Sequence, residues 1–324
     1  MKERLIWLDN LRGFAILLVV LGHCLQYFRS DFDTNHLANY IYSSHMPLFV
    51  TMSGFVSYRG IKVNEVGTHL CGVIKKRSVQ LLLPYVFWSI LLCVLLNYSL
   101  FKVLITDPIY WFLILLFIII VIYEFVFSFS IKWNCSIEWV ITGTFVLLVI
   151  ANRCFAVHMF SMELLYFYFL FYIMGVLLKK YYSLFDKKRN CLRVLVLNLV
   201  FFIVFGYCYM KNDSPLLFYF IPQSLFFMIT GISGSLSFFL IFMLFGNKET
   251  KLISKCGRLS LGIYVIQAVL CHSFKEILSI YGCWRDSYLM VGLMFLAISG
   301  ISLGLSIILK RFKITAYLIG AGNN

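Results

Sequence analysis

Residues 6–28, IWLDNLRGFAILLVVLGHCLQYF, decide how the rest of the chain is read. About 20 apolar residues in a helix cross roughly 30 Å of hydrocarbon, and this stretch has that length while holding Asp9, Arg12 and His23. At 100° per residue, Arg12 and His23 point from one face about 16 Å apart along the axis, and Asp9 and Gln26 fall on the same stripe. Phe14, Ile16, Leu17, Leu18, Val20 and Leu21 occupy the other faces, where lipid or packed apolar helices are expected. An ionisable group inside a span costs several kcal/mol unless it meets a partner or a water-filled cavity, so it marks a candidate functional site. The plainer alternative is a helix-linking hydrogen bond.

Outward from this stretch, composition sets the class. The 324 residues are 61% hydrophobic, 18% aromatic and 13% charged, with a mean hydropathy of +0.90, which is more apolar surface than one water-soluble core buries. An all-α polytopic membrane protein is expected, forming a single domain over residues 1–324. The basic start imitates a secretory signal, but no small-residue cleavage site follows Gly22 and His23 interrupts the apolar run, so a retained first span is expected. The net charge of +14 does not indicate a nucleic-acid partner, because no polar stretch is long enough to form a basic binding domain. The ten cysteines lack CxxC or paired-histidine spacing, and neither a metal site nor a disulfide framework is expected.

Ten spans are predicted: Leu11 to Phe28, Leu37 to Tyr58, Gln80 to Phe101, Ile109 to Phe127, Ile137 to Asn152, Met162 to Leu178, Val194 to Met210, Leu216 to Phe245, Leu259 to Ile280 and Tyr288 to Leu309. Charge provides an independent check, since cytoplasmic segments retain Lys and Arg. With both termini cytoplasmic, only Arg29, Lys102, Arg153, Lys211, Lys275 and Arg285 fall outside, leaving 22 of the 28 basic residues inside. The turn from Ser128 to Cys135, with the single basic residue Lys132, constrains this count least.

Two further features carry chemistry. His45 lies at a depth similar to that of His23 under this topology, so adjacent antiparallel spans bring the imidazoles together, and a neutral imidazole is a natural base for a hydroxyl. Pro47 cannot donate to the carbonyl of Ser43 and is expected to distort the second span. Ser53 and Gly54 follow, where glycine admits a close backbone or ligand; packing through small residues is the ordinary alternative. At the inner side, Lys75, Lys76 and Arg77 read first as topology and headgroup anchors. With Arg12 they also place cations where a phosphorylated cytoplasmic molecule docks.

Together these stretches resemble the acyltransferase-3 family of integral membrane acyltransferases, particularly its O-acetyltransferases of bacterial surface glycans. The resemblance rests on Asp9-Asn10-Leu11-Arg12-Gly13 with His23, and on HMPLFVTMSGF from His45 to Phe55. Arg77 through Pro84-Tyr85, Trp111-Phe112-Leu113, and Gly257 through Ser260, Ile263 and Tyr264 support it in the same order. The family often has a second arginine where this chain has Gln80, and a histidine where it has Gln267. Neither glutamine is therefore expected to carry the family's function.

The resemblance implies a multi-pass protein of a bacterial inner membrane, an acyl-CoA donor that is most often acetyl-CoA, and a hydroxyl of a cell-surface or lipid-linked glycan as acceptor, with no metal. It implies His23 as general base or acyl relay, assisted by His45. Arg12, Asp9, Arg77, Ser53 and Gly54 are the donor-binding candidates. Direct transfer and a covalent intermediate both fit the residues. A secondary transporter of a small solute or lipid-linked glycan is the competing reading. Transporters tend to show paired broken helices in related halves, and the second half of this chain has no counterpart of HMPLF. A purely structural subunit leaves the stripe of Arg12 and His23 unexplained.

Overall fold

In hydrocarbon, an apolar run has one open-ended solution, a helix that satisfies its own backbone, and the computed structural model of the protein is helical throughout. It describes residues 5–322 apart from 60–64, 97–98, 156, 186, 208–222, 247, 249 and 283–285, and no strand occurs among the described residues. The helices are α1 (Ile6–Phe28), α2 (His36–Ser57), α3 (Val66–Arg77), α4 (Leu83–Leu96), α5 (Trp111–Lys132), α6 (Ile137–Cys154) and α7 (Leu165–Lys180). They continue with α8 (Lys188–Tyr207), α9 (Gln223–Phe245), α10 (Lys251–Arg258), α11 (Ser260–Ile280), α12 (Tyr288–Arg311) and α13 (Lys313–Leu318). The protein is an all-α polytopic membrane protein.

Among the described residues, nine helices are long and apolar enough to cross a membrane. α2 stands outside that count although it has 22 residues, because Asn39, Ser43, Ser44, His45 and Thr51 dilute its apolar character. It continues through Pro47 as one helix. The expected third span differs more: a helical run of 30 residues extends over Val66–Leu95, so Lys75, Lys76 and Arg77 lie on helix rather than in a loop. That run is about 45 Å long, more than the roughly 30 Å hydrocarbon layer requires. A π-turn at Ser78–Leu82 follows directly after Arg77, an irregularity often found at functional sites. Residues 216–222 of the expected eighth span lie outside the described residues, as do Lys2, Arg4, Lys62, Lys211 and Arg285 of the charge balance.

The helices group into two compact units. The first comprises the chain up to Met52 together with Lys180–Ile307, and α1 is its axis, with Leu11, Ala15, Ile16, Val20 and Leu25 fully buried. Of the residues expected to meet lipid or packed helices, Phe14 packs against Phe238 and Phe242 at 5.1 and 5.3 Å between ring centroids. α1 and α10 touch backbone to backbone. A Cβ on Gly13 would come within 1.9 Å of the Ile253 carbonyl oxygen, and one on Gly257 within 1.9 Å of the Asp9 carbonyl oxygen. Asn10 fixes this contact by donating from Nδ2 to the carbonyls of Gly246 (2.8 Å) and Lys248 (2.9 Å) and accepting at Oδ1 from Thr250 (2.9 Å) and Ser254 (2.5 Å). Between α1 and α2, Asn35 caps α2 through Oδ1, which accepts from the amides of Leu37 and Ala38, satisfying two donors of its first turn.

The second unit comprises Ser53–Lys179 and the chain from Ile308 onward. Its core gathers the fully buried Tyr123, Phe169, Phe171 and Tyr172. Trp88 on α4 donates from Nε1 to the carbonyl of Leu318 at 2.8 Å, tying down α13.

Candidate functional site

In the first unit the site is built on α1. His23 sits half-buried five residues before its end, where α11 brings Gln267, and Nδ1 of His23 lies 3.0 Å from Gln267 Oε1. Gln267 is fully buried; its Nε2 donates to the Tyr264 carbonyl at 3.2 Å, and the Cys271 thiol donates to its Oε1 at 3.7 Å. One turn along, Tyr27 and Nε2 of His272 share a hydrogen bond of 2.5 Å. From α2, the buried His45 donates from Nδ1 to the Ile41 carbonyl at 2.6 Å, and its ring meets Tyr42 edge to face at 5.0 Å. Tyr42 in turn donates to Gln26 at 2.9 Å. His45 and His272 both lie within electrostatic reach of His23. The structure thus collects three imidazoles and two phenols around one face of α1.

At the other end of α1, Nη1 of Arg12 lies 4.0 Å from Oδ1 of Asp9. Asp9 is buried and Arg12 is about a third exposed. Asn10 and Gly13, inside the same short motif, serve the packing described above, so this stretch combines a charged pair with a structural clasp.

In the second unit the polar groups surround the carboxylate of Glu124, a residue only 3% exposed within the apolar α5. Its Oε2 lies 3.5 Å from Nδ1 of His69 on α3, and Arg59 and Arg77 act on it electrostatically. Arg77 donates from Nη1 to Oε1 of Gln80 at 2.6 Å. Tyr172, which also feels Arg77 and Arg59, donates to Ser57 Oγ at 2.7 Å. Ser53 accepts at its main-chain carbonyl from Ser57 Oγ at 2.9 Å. The missing side chain of Gly54 makes room for a neighbouring backbone, since a Cβ there would come within 2.1 Å of the Tyr172 carbonyl oxygen. Guanidinium groups suit phosphate oxygens.

Sequence reading does not single out Tyr27, Tyr42, His272, Arg59, His69, Glu124 or Tyr172. Glu124 had a signal, a lone carboxylate in an apolar run, which by itself marks a functional position. His69 had none, because it becomes meaningful only beside Glu124. Gln80 and Gln267 were set aside as departures from a pattern, yet each is hydrogen-bonded to a residue singled out for function. Among the described residues, no group of three His, Cys, Asp or Glu side chains is arranged to hold a metal ion.

Residues 5–311 match the family model described as an acyltransferase domain, that of the acyltransferase-3 family. The Nodulation protein NolL of Sinorhizobium fredii is 40% identical over 96 residues, covering 28% of this chain and 25% of the relative. NolL of Mesorhizobium japonicum is 40% identical over 88 residues, covering 26% and 22%. The chain thus aligns with about a quarter of the length of these curated relatives. No solved structure matches.

Proposed function

The chain belongs to the acyltransferase-3 family, and on that premise we propose that it transfers an acyl group, most simply acetyl from acetyl-CoA, to a hydroxyl of a cell-surface or lipid-linked glycan. The observation that carries this reading is His23, an imidazole held inside the first span by a hydrogen bond to the buried Gln267 and accompanied by His45 and His272. His23 takes the proton of the acceptor hydroxyl as its oxygen bonds to the thioester carbonyl carbon. The carbon–sulfur bond then breaks, its electron pair leaves with sulfur, and the imidazolium returns the proton to the thiolate, so that an ester and a free thiol result. In the relay version, the same nitrogen first carries the acyl group. His45 orients the acceptor or assists His23. Arg12 with Asp9 in the first unit, and Arg77 with Ser53 and Gly54 in the second, are each proposed as contacts for the donor, the arginines for its phosphates. Residues 5–311 act as one acyltransferase domain in a bacterial inner membrane, with the donor entering from the cytoplasm and the acceptor from the other side.

The test is turnover in sealed vesicles given labelled acetyl-CoA at the cytoplasmic face, with and without a glycan extract. Label in glycan, or slow hydrolysis, that disappears in folded His23→Ala and Arg12→Ala proteins is the expected result. Wild-type turnover in either variant overturns its assignment, and a protein that neither binds nor consumes any acyl-CoA overturns the reading.

A further inference from the structure

The amide of Gln267 has one orientation that satisfies its surroundings. Its nitrogen must face the Tyr264 carbonyl, which only accepts, and its oxygen then receives the Cys271 thiol and faces His23. An acceptor facing Nδ1 requires a proton on Nδ1, and a neutral imidazole carries one proton, so the lone pair of His23 lies on Nε2. The same logic holds independently for His45, whose Nδ1 faces a main-chain carbonyl at 2.6 Å. We propose that Gln267 is the positioning residue of the reaction: it holds His23 in the tautomer whose Nε2 accepts the acceptor's proton. The proposal rests on the reading of His23 as the base. An unconstrained imidazole also adopts the opposite tautomer, which offers the hydroxyl an N–H and cannot take its proton.

Gln267 also fits its position inside a span better than a carboxylate does. It is fully buried, where a carboxylate costs several kcal/mol to desolvate and also favours the imidazolium, which is useless as a base. An amide fixes the tautomer and adds no charge. The titratable neighbours are Cys24 and Tyr27 on α1, Tyr42 and His45 on α2, and Cys271 and His272 on α11, with Lys275 and Glu276 acting on His272.

The experiment is 15N NMR of histidine-labelled protein in lipid vesicles, with His23→Asn identifying the His23 signals, alongside kinetics of Gln267→Met and Gln267→Glu. In the wild type at a pH where His23 is neutral, Nδ1 should be protonated and Nε2 bare. Gln267→Met should lose that preference and lower kcat at least about tenfold with donor KM unchanged; about 10⁴-fold is the ceiling set by a wrong tautomer where the partner is a carboxylate. Gln267→Glu should keep the tautomer and move the acid limb of the pH–rate profile to higher pH. A protonated Nε2 in the wild type, an unaltered tautomer in Gln267→Met, or an altered tautomer with wild-type kcat each overturns the proposal. The wild-type spectrum decides the tautomer even where the variants do not fold. A wild type with that tautomer but no acyl transfer instead removes the acyltransferase reading.

Discussion

At the scale of single residues, glutamine departures from a family pattern bond directly to candidate functional groups. Gln80 accepts a 2.6 Å hydrogen bond from Arg77, so it aims one guanidinium where a second arginine would have added charge. Arg77→Gln is expected to raise donor KM about tenfold or more with a small change in kcat, because the loss falls on binding rather than on the transition state; initial rates across donor concentrations check this. Glu124→Gln removes the carboxyl group that faces Arg77 and Arg59 and is expected to lower donor KM, whereas an unchanged or higher KM would show that this group does not compete with the donor. Asn10 is predicted to be structural. Asn10→Ala forfeits four hydrogen bonds, worth about 1 kcal/mol each, and should lower the thermal unfolding midpoint in detergent, with the remaining folded protein keeping its donor KM. The motif from Asp9 to Gly13 was legible as important, but its division of labour was not, because nothing local tells which side chain meets α10.

At the scale of elements, the turn between α1 and α2 is held by charge. Arg29 grips Asp31 with two hydrogen bonds of 2.9 and 2.7 Å, reaches Asp286 at 2.9 Å and lies 4.4 Å over the Tyr288 ring; Ser30 also donates to Asp286. The hydrogen bonds from Arg29 hold the Asp31 carboxyl below its ordinary range. Its contribution is therefore complete above about pH 4 and fades as pH falls through the lowered folded value. Proteolysis of the turn should accelerate only below about pH 4 in the wild type and already at neutral pH in Asp286→Asn. Protection that is independent of both would place the restraint elsewhere. The α1–α10 contact depends on shape instead. Gly13→Ala sets a methyl against the Ile253 carbonyl, and overpacking of this kind costs at least about 1–3 kcal/mol, so loss of monodisperse protein is expected. Helix lengths and most ends followed from apolar runs. The long α3–α4 helix did not, since Val66–Arg77 is polar enough to read as a loop and only its continuity with the apolar α4 makes it helical.

At the scale of the whole molecule, the proposed topology is testable through exposed cysteines. Cys71, Cys135 and Cys154 are free and exposed, and with cytoplasmic termini the first two lie inside and Cys154 outside. A membrane-impermeant maleimide applied to intact cells should label Cys154 and spare the others in single-cysteine proteins. Labelling of Cys135 from outside would invert everything after α5, the turn that Lys132 alone supports. The sequence by itself determined the solvent, because its apolar runs are too many and too long for a water-soluble core. It also determined the apolar helices, because hydrocarbon leaves backbone groups no other partner, and it marked Arg12, His23 and His45, because ionisable groups in such runs are costly. The tertiary structure alone decided which groups those residues meet. Gln267 is 244 residues from His23, and His69 and Glu124 lie on different helices. Periodicity along one helix tells which way a side chain points; what receives it depends on how the helices pack.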